Sequence, residues 1–234
     1  MRVDQYTKLL LHCNGADGSA VFFDEALHTV TRNGDAQIDT AQYKFNGASG
    51  LFDGTGDYLS AGDSDDWDFG TGNFTVETWL RRNGNQADYA GIISAGGPAG
   101  GPTGWAVGFG NAGGSTTNKV IFYSNTTGSW GANITASATI SDTTWTHLAI
   151  VRNGTALTLY YDGVSKGTYD CTGKTFNSSN SGVVIGRLYT GVDNYYFKGH
   201  LDEIRISKGI ARWTAAFTPP IREYRQSGLF NFHG

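Results

Sequence analysis

The chain has 234 residues, of which 34 are glycine and 4 proline, with 13% aromatic and 16% charged side chains and a net charge of −4. That aromatic load excludes a disordered chain, and the lack of a strict glycine period excludes collagen. No basic run suits a phosphate-tracking groove and no apolar stretch reaches about 18 residues, so nucleic acid and membrane are not expected partners.

In chain order the dominant period is two, the spacing of strands. Strands are expected over residues 8–12, 41–45, 57–60, 74–81, 89–94, 105–109, 119–123 and 134–140. The run Trp145 to Arg152 is almost continuously apolar, as in a strand covered on both faces. Asn153-Gly154 and Asp162-Gly163 then separate further strand patterns at 155–161 and 164–169. Both dipeptides favour the positive φ of tight hairpins, so 145–169 reads as a three-stranded meander. Strands at 182–187 and 197–207 complete the set, with one short helical turn expected at 210–216 and a long glycine-rich loop at 95–104. Turn signals every 8–15 residues suit a single β-sandwich or barrel. The start, Met1 to Gln5, has no apolar core of a secretory signal. Cys13 and Cys171 fit no zinc or redox spacing and read either as two buried thiols or as one disulfide.

Phe74, Trp79, Phe109, Phe122 and Trp145 lie within strand patterns and read as core. Trp130, Tyr89, Tyr189 and Tyr195 lie instead in or beside polar loops, as does Tyr196. Rings placed there either pack down on the loop or meet a ligand such as the C–H face of a sugar. The carboxylates give little support to hydrolysis. Glu25, Glu77, Glu203 and Glu223 show no alternate-position pairing, and Asp202 and Glu203, being adjacent, should point to opposite faces of a strand. The acidic run 63–68 begins like a calcium loop but has Asp68 where glycine is needed and Phe74 where glutamate is needed. His12, His28, His147, His200 and His233 show no short metal spacing, and no nucleophile elbow is present. After Pro219-Pro220 the tail 221–234 carries Leu229-Phe230-Asn231-Phe232, apolar enough to pack back on the domain or dock elsewhere.

Four segments in order resemble one family: FDGTGDYL at 52–59, WDFGTGNFTVETW at 67–79, WTHLAIVR at 145–152 followed by LYYDG at 159–163, and FKGHLDEIRIS at 197–207. Together they are similar to laminin-G-like domains within the concanavalin-A-like jelly rolls, over about residues 7–220. The closing SKGIARWT at 207–214 and FTPP at 217–220 resemble the version common in tailed-bacteriophage virion proteins. The resemblance implies an all-β, two-sheet antiparallel jelly-roll sandwich over 1–220, followed by the tail 221–234. It implies loops that bind glycans or proteins, and a structural calcium joining the loop after the first strand to an acid on the last. Asp17, Asp57 and Asp202 are the residues it would use here. The expected function is a non-catalytic module recognising a glycan or cell-surface ligand, on a phage virion or in an extracellular assembly. The alternative is a virion decoration protein that binds other virion proteins through 221–234, and a glycoside hydrolase is third. A particle-attached module would form a homo-oligomer following particle symmetry.

Overall fold

A computed structural model describes residues 3–96, 104–110, 117–125, 130–178, 181–189 and 194–224. Among them the strands are β1 (Thr7–Leu11), β2 (Val30–Asn33), β3 (Gln37–Asp39), β4 (Ser49–Asp53), β5 (Tyr58–Ala61) and β6 (Phe74–Arg82). Then come β7 (Gly91–Gly96), β8 (Gly104–Phe109), β9 (Val120–Asn125), β10 (Trp130–Thr135), β11 (Thr146–Asn153) and β12 (Ala156–Tyr161). The last are β13 (Val164–Asp170), β14 (Val183–Ile185), β15 (Arg187–Tyr189), β16 (Asn194–Tyr196) and β17 (Lys198–Lys208).

They form two sheets. Sheet A runs β13-β12-β11-β6-β17-β4-β3, with β1 also on β17; sheet B runs β10-β9-β8-β7-β14-β5-β2. The hairpin β15–β16 joins sheet B where Tyr196 meets Gly91 of β7. Neighbours within the two main runs pair antiparallel, as in the expected jelly roll. The meander forms as its turn residues require: Gly154, Asp162 and Gly163 all take positive φ. Among the described residues no helix is long and apolar enough to cross a membrane.

Alternation sends Leu9, Phe52, Leu59, Phe74, Val76, Phe122, Ile150 and Leu159 into one core between the sheets. Its centre is aromatic: Phe69 stacks on Phe74 at 4.2 Å and on Trp105 at 4.9 Å, and Phe122 meets Phe176 edge-on at 5.3 Å. The Trp105 indole donates to the Trp67 carbonyl at 3.0 Å and the Trp67 indole to the Gly62 carbonyl at 2.9 Å, so both buried N–H groups are satisfied. Cys13 and Cys171 are buried free thiols, not a disulfide.

Several expectations are corrected. Residues 41–45 are not a strand, because side chains take their backbone donors: Lys44 and Phe45 N–H bond Asp202, and Gln42 N–H bonds Asp39. Trp145 precedes β11 and is half-buried rather than core. Residues 136–140 leave β10 and bond to Val120, Lys166 and Asn118 instead. No helical turn forms at 210–216; the described helix is a single 3₁₀ turn at Asp65–Trp67. The strands β2, β3, β4, β15 and β16 lie outside the expected set, β15 sharing only Arg187 with it.

Strand β17 contains a bulge between Asp202 and Arg205, with Glu203 at φ +52°. One extra residue shifts the alternation, so Leu201 and then Ile204 and Ile206 face the core. Asp202 and Glu203 therefore both lie off the core, against the opposite-face expectation.

Residues 210–224 run as a strap over the outer face of sheet A. Trp213 and Phe217, stacked at 4.0 Å, cover Ala149, Val151 and Tyr160. Beneath them Glu77 is buried, accepting from Arg205 at 2.8 and 2.6 Å and from the Trp213 indole at 2.8 Å. Burial opposes ionisation of Glu77, yet the Arg205 guanidinium, helped by His147 and Trp213, holds its carboxyl well below the usual range. Tyr224 is buried and its hydroxyl reaches His147 Nε2 at 3.0 Å. The sandwich thus includes the first residues of the expected tail; Leu229 to Phe232 lie outside the described residues. Among the described residues the strap covers the middle of sheet A, and the β15–β16 hairpin covers part of sheet B.

Candidate functional site

Cross-strand register sets a row on the outer face of sheet B. Ser94 of β7 pairs with Val184 of β14, Val184 with Ser60 of β5, and Ser60 with Thr31 of β2. Their neighbours Ala95, Val183, Leu59 and Ala61 point into the core. The row floors a groove of about 480 Å³, also lined by Gly62, Ser181 and Gly182 and walled by Arg187. This volume lies in the usual range for small-ligand sites, about 300–1,000 Å³. Hydroxyls and glycines dominate the described lining, which holds no Asp or Glu.

The wall is the β15–β16 hairpin, and its seat is specified by one glycine. A Cβ on Gly91 would occupy the space of the Leu188 amide and the Arg187 carbonyl carbon, so a side chain there would lift the hairpin. Ser94 Oγ donates to the Arg187 carbonyl at 2.9 Å and fixes it laterally. The Arg187 guanidinium lies 3.7 Å over the Tyr58 ring, and Tyr58 lies 6.4 Å from Tyr196. On the far side of the hairpin Leu188 and Tyr195 pack on Ala106, Ile121 and Tyr123. Tyr89, at φ +59°, meets Tyr195 edge-on at 5.3 Å and Tyr123 at 6.2 Å, and is 36% exposed. Burial pushes the Tyr123 phenol up, and that hydroxyl donates to the Phe109 carbonyl at 2.8 Å.

Tyr89 and Tyr195, far apart in sequence, are thus brought together, but on the side of the hairpin away from the groove. Trp130 lies on β10, the strand at the far edge of sheet B, and Tyr189 ends β15; both side chains lie outside the described residues. Ser60, Ser94, Thr31, Tyr58 and Arg187 were missed. Tyr58 and Ser60 carry a readable signal, the alternate outward positions of a short strand; Arg187 and Ser94 carry none, since only the hairpin's placement recruits them.

The acidic set is dispersed. Asp17 accepts from the Thr40 amide at 3.0 Å and hydroxyl at 3.2 Å. Asp57 is buried and takes the Asp35 amide on one oxygen and the Asp53 amide on the other, at 2.5 and 2.9 Å; burial raises its pKa. Asp202 is buried; one oxygen accepts from Lys44 and Phe45 N–H at 3.1 and 3.0 Å, and the other has no hydrogen-bond partner among the described residues. Burial raises its pKa to about 7. The three carboxylates do not gather within reach of one ion, because each closes a different turn. They do not fit the shared calcium site implied by the resemblance.

Fold and site define a two-sheet antiparallel jelly roll with a strap across one face and a groove in the other. The chain belongs to the concanavalin A-like lectin/glucanases superfamily, whose laminin-G-like family model matches residues 53–212. No curated protein sequence matches it. Among solved structures it is similar to domain 4 of AbnA, a GH43 extracellular arabinanase from Geobacillus stearothermophilus, in complex with arabinotriose. That match has a TM-score of 0.62 at 19% identity and covers 88% of this chain and 95% of that one. It is also similar to a structure of botulinum neurotoxin type C, whose cell entry depends on interaction with two ganglioside molecules (TM-score 0.61, 16% identity, 89% of this chain and 49% of that one). The binding domain of Paraclostridial Mosquitocidal Protein 1 matches with a TM-score of 0.59 at 15% identity, over 88% and 49%. The chain spans about half the length of these two toxin chains. At such identities the likeness shows the fold.

Proposed function

We propose that the protein is a non-catalytic binding module that takes a glycan in the groove between the β15–β16 hairpin and the β5–β2 edge of sheet B. The carrying observation is the lining: hydroxyls from Thr31, Ser60, Ser94 and Ser181, with Arg187 at the wall and the Tyr58 ring against its guanidinium. Sugar hydroxyls exchange hydrogen bonds with such groups, and sugar C–H faces lie on rings. The non-catalytic reading is supported by the absence of Asp and Glu from the described lining, since glycosidases need two carboxyl groups about 5–9.5 Å apart. The solved relatives bound to arabinotriose or dependent on gangliosides support a carbohydrate ligand. The setting we propose is extracellular, and in the narrower reading a phage virion; the closing phrase 207–220 supports the latter, and mass spectrometry of purified particles tests it.

A glycan array with the purified chain tests the ligand. The expected result is selective binding, weakened at least tenfold by Ser60→Trp, which fills the groove, and by Arg187→Ala, which removes its wall. Binding unaltered by both variants, or none to any glycan, would overturn the reading; measured glycosidase turnover would overturn its non-catalytic part.

A further inference from the structure

We propose that His12, Glu203 and Glu223 bind a divalent transition ion, Zn²⁺ by the chemistry of the donor set. One ligand atom from each lies within 4.8 Å of the others. They come from three separate segments: the residue after β1, the bulge of β17 and the end of the strap. Strand register explains the meeting. Leu11 pairs with Ile204, so His12 falls beside Glu203, and the bulge turns Glu203 off the core toward it. Glu203 is 1% exposed, and its Oε1 lies 2.5 Å from His12 Nδ1.

Both carboxylates are oriented by donors from outside the trio. The Tyr224 amide donates to Glu203 Oε2 at 2.7 Å, and Asn14 Nδ2 donates to Glu223 Oε1 at 2.6 Å. Outer partners of this kind fix metal ligands in place. Charge points the same way. Two carboxylates face one imidazole. One histidine cannot offset that surplus; a divalent cation can. An imidazole with carboxylates suits zinc, with bonds of about 2.0–2.2 Å and water as fourth ligand. Ligand atoms around such a tetrahedron sit about 3.4 Å apart, within a side-chain adjustment of the present spacing. The ion would tie the strap to β1 and β17 on sheet A, away from the groove.

The test is calorimetric titration of Zn²⁺ into the EDTA-treated, dialysed full chain at pH 7, with Co²⁺ absorption reporting geometry. One ion per chain is expected, with a tetrahedral Co²⁺ band. Glu223→Gln and His12→Gln should each lose at least tenfold in affinity, Asn14→Ala about 10–100-fold, and Asp17→Asn nothing. Glu223 is only half-buried, so Glu223→Gln keeps the fold, which melting in EDTA verifies. No uptake by the parent chain, or unchanged affinity in both Glu223→Gln and His12→Gln, would overturn the proposal and leave the trio a hydrogen-bonded latch.

Discussion

Glu77→Gln keeps the shape of a buried side chain and removes its charge. The parent carboxylate takes two bonds from Arg205, one from the Trp213 indole and the approach of His147 Nε2 at 3.4 Å. The variant leaves Arg205 uncompensated beneath the strap, with its guanidinium 3.6 Å over the Tyr224 ring. Breaking a buried, hydrogen-bonded ion pair costs about 3–5 kcal/mol. At roughly 2–4 °C per kcal/mol for a chain of this size, melting should fall by about 6–20 °C. Urea unfolding at pH 7 measures it, with Arg205→Met and the double variant closing a cycle. The double variant should be less destabilised than the two single losses added, by about 0.5–3 kcal/mol, since it strands no charge. Glu77 has a folded pKa below the ordinary 4.5, so its stabilisation is present above that value and lost as pH falls through the folded pKa. A loss under about 1 kcal/mol, the scale of exposed pairs, together with an additive cycle would refute the reasoning.

Asp202 has the opposite sign. Its folded pKa of about 7 lies above the ordinary 3.8, so its contribution is full below about pH 4 and lost as pH rises through 7. Asp202→Asn should therefore gain on the parent between pH 5 and pH 8, by about 2–3 kcal/mol at most; paired melts in EDTA buffer check it, and an offset equal at both pH values contradicts it. Gly91→Ala places a methyl against the hairpin backbone and should cost about 1–3 kcal/mol and weaken glycan binding. Gly62→Ala, whose Cβ meets nothing within 4 Å, should melt as the parent does; equal melting of both variants would show that the hairpin does not rest on Gly91.

The residues that were legible in sequence carry their geometry locally. Asn153-Gly154 and Asp162-Gly163 set their turns by φ alone, and the alternation from Phe74 to Leu80 sets its own inward face. Residues 41–45 misled because their pattern was strand-like while their amide donors belonged to Asp39 and Asp202, the latter some 157 residues away. The bulge at Glu203 was equally invisible, since no local signal announces it. Yet it turns Asp202 and Glu203 alike off the core and brings the latter beside His12. The β15–β16 hairpin follows the same logic. Tyr89 and Tyr195 stood out as rings in polar loops, but that reading could not say they touch. Their contact depends on Gly91 lacking a side chain, so that the hairpin can lie on β7. Sites in this fold arise where strands exchange neighbours, and neighbour exchange is long-range information. Composition and period therefore reach the sandwich directly, and reach its sites only through the few glycines and bulges that decide which strand lies against which.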